Sequence, residues 1–342
     1  MAPQESRFQE ANLRSVPIKD LGLAIEGTEL EPIIAEFLRE VDRAGLSRVM
    51  PRVYLSTEWG VPFGTISIGV PFYLTRPELV AIQAEQTSHV EGVGRADILR
   101  YLRHEMGHVV NYAYKLYERE DWVRAFGSIT QPYLEDYRPQ PFSHRFVRHL
   151  PGWYAQKHPD EDWAETFAVW MTPALDWRTQ YAAWPTALQK LEYCDSVVEQ
   201  VRQTEPPVRS EERDEDVSEL AYSVADHYTQ VEPDGDELPA GLSGALTAIF
   251  DELGPAAAPA DSPRKPAGAL IRRLERDLVT NIFCWTGHFP ERTRPLVRRL
   301  ADLADELKQG YPVEREQAAI IALTTLVTAL AMNYVHRGTY LP

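Results

Sequence analysis

The chain reads R-H-E-M-G-H at residues 103–108, with two histidines four positions apart. That spacing has a chemical consequence only on a helix, where residues i and i+4 project from one face about one turn apart. The flanks supply the helix. In ILRYLRHEMGHVVNYAYKLY, the residues Leu99, Leu102, Met106, Val109, Val110 and Ala113 keep helical register, which predicts an element from about Arg95 through Tyr117. Two imidazoles on one face can reach a single ion, and Zn2+ is the metal such a nitrogen pair suits best. Glu105 lies beside that face, where it can take a proton from an attacking water. Gly107 departs from helix propensity by about 1 kcal/mol against alanine. The departure makes sense if another backbone element must pass close to this helix.

A catalytic zinc needs a third protein ligand and an open position. The metzincin solution, a glycine and a third histidine just downstream, is absent: Asn111 and Tyr114 occupy those places. Further along, LPGWYAQKHPDEDWAETFAVWM at 150–171 offers Glu161 and Glu165, again i and i+4, on a helix expected at about 160–174. One glutamate can bind the metal while the other hydrogen-bonds a ligating histidine and fixes its ring. An acidic pair on a helix usually faces water. Here Trp163, Ala164, Phe167, Ala168, Val169 and Trp170 surround it, and burying carboxylates without a cation is costly.

These two segments together resemble the gluzincins related to anthrax lethal factor and the Pro-Pro endopeptidases. More closely, RYLRHEMGHVVNYAY with HPDEDWAETFAVW resembles a family of bacterial zinc-binding metallopeptidases of unassigned substrate. The resemblance covers about residues 45–200. It implies a zincin-like region, with a tyrosine seven positions before the zinc glutamate and a second glutamate four after it. On that pattern Glu161 is the third ligand, Glu165 orients a histidine and Tyr154 stabilises the oxyanion. The run WAETFA also admits Glu165 as the ligand itself. Asp162 stands where the lethal-factor group tends to have an aromatic residue. His149 and His158, which flank the segment, read as surface or packing histidines.

Elsewhere the chain is ordinary in composition, with 44% hydrophobic and 25% charged residues. Its formal charge of −16 disfavours nucleic acid and anionic membranes, both of which demand clustered positive charge. Cys194 and Cys284 are far apart and read as core residues, so a disulfide framework is not expected and a reducing cytoplasm is the simplest compartment. The N-terminal lead has no apolar run typical of a secretory signal. Ala318–Met332, the most apolar stretch, is interrupted by Thr324, Thr325 and Thr328 and reads as a buried helix, too short to cross a bilayer.

The elements expected are a helix within GTELEPIIAEFLREVDRAG, two adjacent antiparallel strands in Arg52–Leu74, helix and loop over 118–150, and a helix at 185–203. Phe63–Tyr73 could present an edge along which an extended peptide aligns. Trp59 and Tyr73 read as core aromatics, and the acidic runs at 211–216 and 232–237 as solvated surface. Three C-terminal helices are expected at about 267–285, 291–309 and 314–336, after a Pro/Ala-rich break at 254–268.

The fold class expected is therefore α+β: a small twisted sheet, a metal helix and a helical lobe over 1–203, an acidic linker at 204–216, and a mainly helical region over 217–342. The activity expected is hydrolysis of peptide bonds in a peptide or protein substrate. Two rival readings are a dedicated leader-peptide protease of a biosynthetic cluster and a non-catalytic binding protein that keeps zinc for structure.

Overall fold

The amphipathic run at Leu30 forms helix α1 (Leu30–Arg43), which buries Leu30, Ile33, Ile34, Phe37 and Val41 along one stripe. A computed structural model describes residues 13–87, 90–133, 137, 139–140, 142–229, 241–253 and 264–340, apart from the side chains of Cys284 and Glu291. The N-terminal lead up to residue 12, the acidic run at 232–237, most of the 254–268 break and the Cys284 side chain lie outside these residues. The described residues form an α+β structure in two units, the first comprising residues 13–137 and 142–229 and the second residues 139–140 and 241–340.

Strands β1 (Arg52–Ser56) and β2 (Ser67–Pro71) pair in register from Arg52↔Ser67 to Ser56↔Pro71, and they run parallel. The expected antiparallel pair is corrected by the path of the connection. Residues after β1 first run back alongside β2, where the Gly69 N–H donates to the Gly60 carbonyl at 2.8 Å. The chain then reverses again at Pro62–Thr65, with Gly64 at φ +74°. Two reversals restore the original direction, whereas a single tight turn would have given a hairpin. Val217 N–H also donates to the Leu55 carbonyl at 3.1 Å, so the chain itself lies along both strands. All five residues of β2 are buried. Phe63–Tyr73 therefore does not form the open edge considered above.

Helices α2 (Pro77–Gln86), α3 (Arg95–Ala113), α4 (Glu120–Phe126), α5 (Pro159–Met171), α6 (Trp177–Gln180), α7 (Pro185–Val201) and α8 (Val224–Thr229) complete the first unit. The crossing of α3 and α5 positions the site. A Cβ at Gly107 would stand 2.7 Å from Ala164 Cα, so only glycine lets these backbones approach this closely. The Trp163 indole N–H donates to the Gly107 carbonyl at 2.7 Å and fixes the crossing. Cys194 is buried in the same core, where burial holds its thiol well above the usual range.

Residues 204–216 are not the linker expected. Val208 N–H donates to the Ala113 carbonyl at 3.1 Å, and Ile66 N–H to the Ser210 carbonyl at 2.8 Å. Beyond them Val217, Leu220, Val224 and Tyr228 join the first core. The Ile18 and Lys19 N–H groups donate to the carbonyls of Tyr222 and Leu220, so the segment ties both ends of the unit together.

The second unit holds α9 (Leu242–Ile249), β3 (Asp251–Glu252), β4 (Arg264–Pro266), α10 (Ala267–Thr286), α11 (Pro290–Glu306), β5 (Gln309–Pro312) and α12 (Glu316–Arg337). Helices α10, α11 and α12 fall where three were expected, and α9 was not anticipated. The small antiparallel sheet, in the order β3-β5-β4, was not anticipated. Helix α12 extends past Ala318–Met332 at both ends and is long and apolar enough, by length and composition, to cross a membrane; the expectation that no stretch reaches that length is corrected. Ala319, Leu323, Val327, Leu330 and Ala331 pack into the core of this unit. The hydroxyls of Thr324, Thr325 and Thr328 donate to carbonyls one turn back, which accommodates polar side chains in an apolar helix.

Candidate metal centre

His104 and His108 project from the face of α3 that meets α5, and all 14 residues from Ile98 to Ala113 except Arg100 and Arg103 are buried. Their Nε2 atoms stand 3.2 Å apart. Glu161, in the first turn of α5, places Oε2 at 2.9 Å from His104 Nε2 and 3.4 Å from His108 Nε2. One donor atom from each of the three residues lies within 4.8 Å of the others, and all three residues are buried.

This set fits zinc. Two imidazole nitrogens and one carboxylate oxygen form a standard donor set, and two nitrogens on a tetrahedral zinc stand about 3.3 Å apart. Three electron-rich atoms that converge away from water need a cation to hold them together. Burial pushes His104 down, but its bonds to Glu161 and Glu165 outweigh this and raise it to about 9. Burial likewise opposes charge on His108, and Asp160 and Glu161 nevertheless hold it well above its ordinary value. Glu161 is pushed up by burial yet drawn well below the carboxylate range by His108 and His104.

Each histidine has a carboxylate on its far side. Glu165 Oε1 lies 3.0 Å from His104 Nδ1; a carboxylate only accepts, so Nδ1 carries a hydrogen, and with a metal bound Nε2 would be the nitrogen left to ligate it. Glu165 also accepts from the backbone N–H groups of His149 and Leu150 at 2.9–3.0 Å. Asp160 Oδ2 lies 3.1 Å from His108 Nδ1. Asp160 is itself held by Asn111 Nδ2 at 2.7 Å and by the Tyr112 hydroxyl.

Glu105 is buried. Burial pushes its carboxyl up to about 7, with His104 and His108 pulling the other way. Tyr154 sets its ring 5.5 Å from that of His104. It follows Trp153, which sits at φ +57°, a conformation that costs a bulky side chain about 1–3 kcal/mol. The Arg148 guanidinium stacks on the Trp153 ring at 3.6 Å and helps to hold this turn.

Of the flanking residues, Asp162 turns away to pair with buried Lys190 on α7. The His149 ring bonds the Arg100 carbonyl at 2.9 Å, and burial pushes it down to about 4. His158 caps α5 by accepting from the Asp160 N–H at 3.2 Å. Both histidines pack as expected. Two residues escaped the sequence reading. Asp160 is adjacent to Glu161, but its role depends on how the first turn of α5 meets α3. Tyr133 comes from a Pro-rich loop without periodicity; its hydroxyl donates to Glu161 Oε1 at 2.7 Å and lies 3.3 Å from that of Tyr154.

Comparison with known proteins adds one finding. No match emerges among curated proteins or solved structures. The stretch from residue 87 to residue 223, which holds every residue of this centre and the strapping segment as far as Tyr222, matches the model of the family described as "putative zinc-binding metallo-peptidase".

Proposed function

We propose that this chain is a zinc-dependent metallopeptidase of the gluzincin type, with His104, His108 and Glu161 as ligands and a zincin-like first unit. The observation that carries the reading is the convergence of three buried donor atoms on two helices, with a carboxylate behind each histidine. A structural zinc site is closed by four protein ligands, whereas three leave a position for chemistry.

Bound there, zinc would polarise a scissile carbonyl and lower the pKa of water. Glu105 takes the proton of the attacking water and returns it to the leaving amine. A carboxyl held near neutrality by burial suits both transfers. Tyr154 donates its phenolic hydrogen to the oxyanion that forms as the carbonyl is attacked. Glu165 and Asp160 hold the two imidazoles in orientation. The substrate is a peptide or protein, and a reducing cytoplasm is the compartment the two cysteines suit.

The test is metal analysis together with cleavage of a diverse peptide library, with and without chelator. Near-stoichiometric zinc and chelator-sensitive cleavage are expected. Glu105→Gln should abolish turnover while leaving zinc in place. Loss of the metal from that variant, or cleavage indifferent to chelator, would refute the mechanism.

A further inference from the structure

An unbroken row of rings crosses the candidate metal centre. It runs from Tyr154 to His104 at 5.5 Å, to His108 at 5.0 Å, to Tyr112 at 5.9 Å and to Phe63 at 4.8 Å between centroids. His104, His108 and Tyr112 are successive i, i+4 positions of α3, so the row follows the metal face of the helix. Its far end is Phe63, which also leans on Tyr117 at 5.4 Å. The row is buried through His104, His108 and Tyr112, yet Phe63 is 64% exposed.

We infer that Phe63 is a specificity-determining platform for a large apolar or aromatic side chain of the substrate peptide, on the His108 side of the scissile bond. The inference rests on the metallopeptidase reading and deepens it. An exposed phenylalanine gains little from the fold, but Phe63 is fixed in place. The Thr65 hydroxyl and N–H both donate to the Pro62 carbonyl, at 2.8 and 3.1 Å, and lock the turn that carries it. Two tyrosines support one side of the ring and leave the rest open. An extended peptide advances about 3.3 Å per residue, so two ring steps from His108 correspond to a side chain within about three residues of the scissile bond. Aromatic rings pair well in tilted arrangements like those already made with Tyr112 and Tyr117, and a large aliphatic side chain would cover the same surface.

Phe63→Ala, Phe63→Trp and the unaltered protein would be compared on the peptide library. The unaltered protein should favour an aromatic or large aliphatic residue at one position near the cut. Phe63→Ala should lower kcat/KM for those peptides by roughly ten- to a hundredfold, mainly through KM, and flatten the preference. Zinc content and melting temperature should not change, and Phe63→Trp should retain the preference. Unchanged kcat/KM in Phe63→Ala would overturn the inference. A second arm needs no turnover: displacement of a reporter from the zinc-loaded protein by a benzyl-bearing hydroxamate and by glycine hydroxamate. The benzyl compound should bind at least tenfold tighter, and only with Phe63 or Trp at the position. Equal binding of the two would sink the platform, even if peptides are cleaved. A benzyl preference without any peptide cleavage would keep the platform and sink the metallopeptidase reading. Failure to load zinc would sink both.

Discussion

Glu165 has no exposed surface, and its two oxygens accept from His104 and from the backbone of His149 and Leu150. To reach a metal it would have to abandon buried N–H donors, each of which would cost about 1–3 kcal/mol left unpaired. Glu161 faces no such obstacle. Glu161→Ala should therefore deplete zinc severely, while Glu165→Ala and Asp160→Ala should weaken zinc affinity by only about 10–100-fold, as read by competition with a chromophoric chelator. Equal depletion in Glu161→Ala and Glu165→Ala would defeat this division of roles. Spacing alone brought His104, His108, Glu161 and Glu165 into view, because a helix turns repeats of four into a shared face. Asp160 and Tyr133 could not be found that way: one depends on a helix crossing, the other on the path of an irregular loop.

At the scale of elements, the crossing of α3 and α5 sets the distance between the histidines and Glu161. Alanine at Gly107 would gain about 1 kcal/mol of helix propensity. Its Cβ would meet Ala164 Cα at 2.7 Å, and overpacking of this kind costs about 1–3 kcal/mol, with rigid backbone on the far side placing it toward the upper end. Gly107→Ala should lower the urea midpoint and weaken zinc binding together. A variant as stable as the parent would show that the helices can part without harm. Helix positions were legible because α1, α3, α5 and α7 each carry an apolar stripe of helical period. The direction of β2 was not, because composition marks where Gly60, Pro62 and Gly64 bend the chain but not how many times it reverses.

On the scale of the whole molecule, the Pro-containing, charged run after Val201 resembles a linker in composition, and its side chains are indeed largely exposed. Its attachment is made by backbone groups, which composition does not report, and by a few apolar residues farther on. Burial of Val217, Leu220 and Val224 contributes about 1.5–3 kcal/mol each, together comparable to the 5–15 kcal/mol that stabilises a typical domain. A chain ending at Glu232 should unfold cooperatively, whereas one ending at Gln203 should lose that transition or aggregate; cooperative unfolding of the shorter chain would show that the strap is dispensable. The strap also imposes an order on biosynthesis. Ile18 bonds Tyr222, a partner made roughly two hundred residues later, or about 10–40 s at ordinary rates of chain elongation. The histidines and glutamates of the candidate metal centre are made within that interval, and for its last few seconds, roughly 3–11 s between Glu165 and Tyr222, they exist in a chain whose core is still unsealed. The nascent chain is thus able to meet metal ions, and chaperones, before it can finish folding.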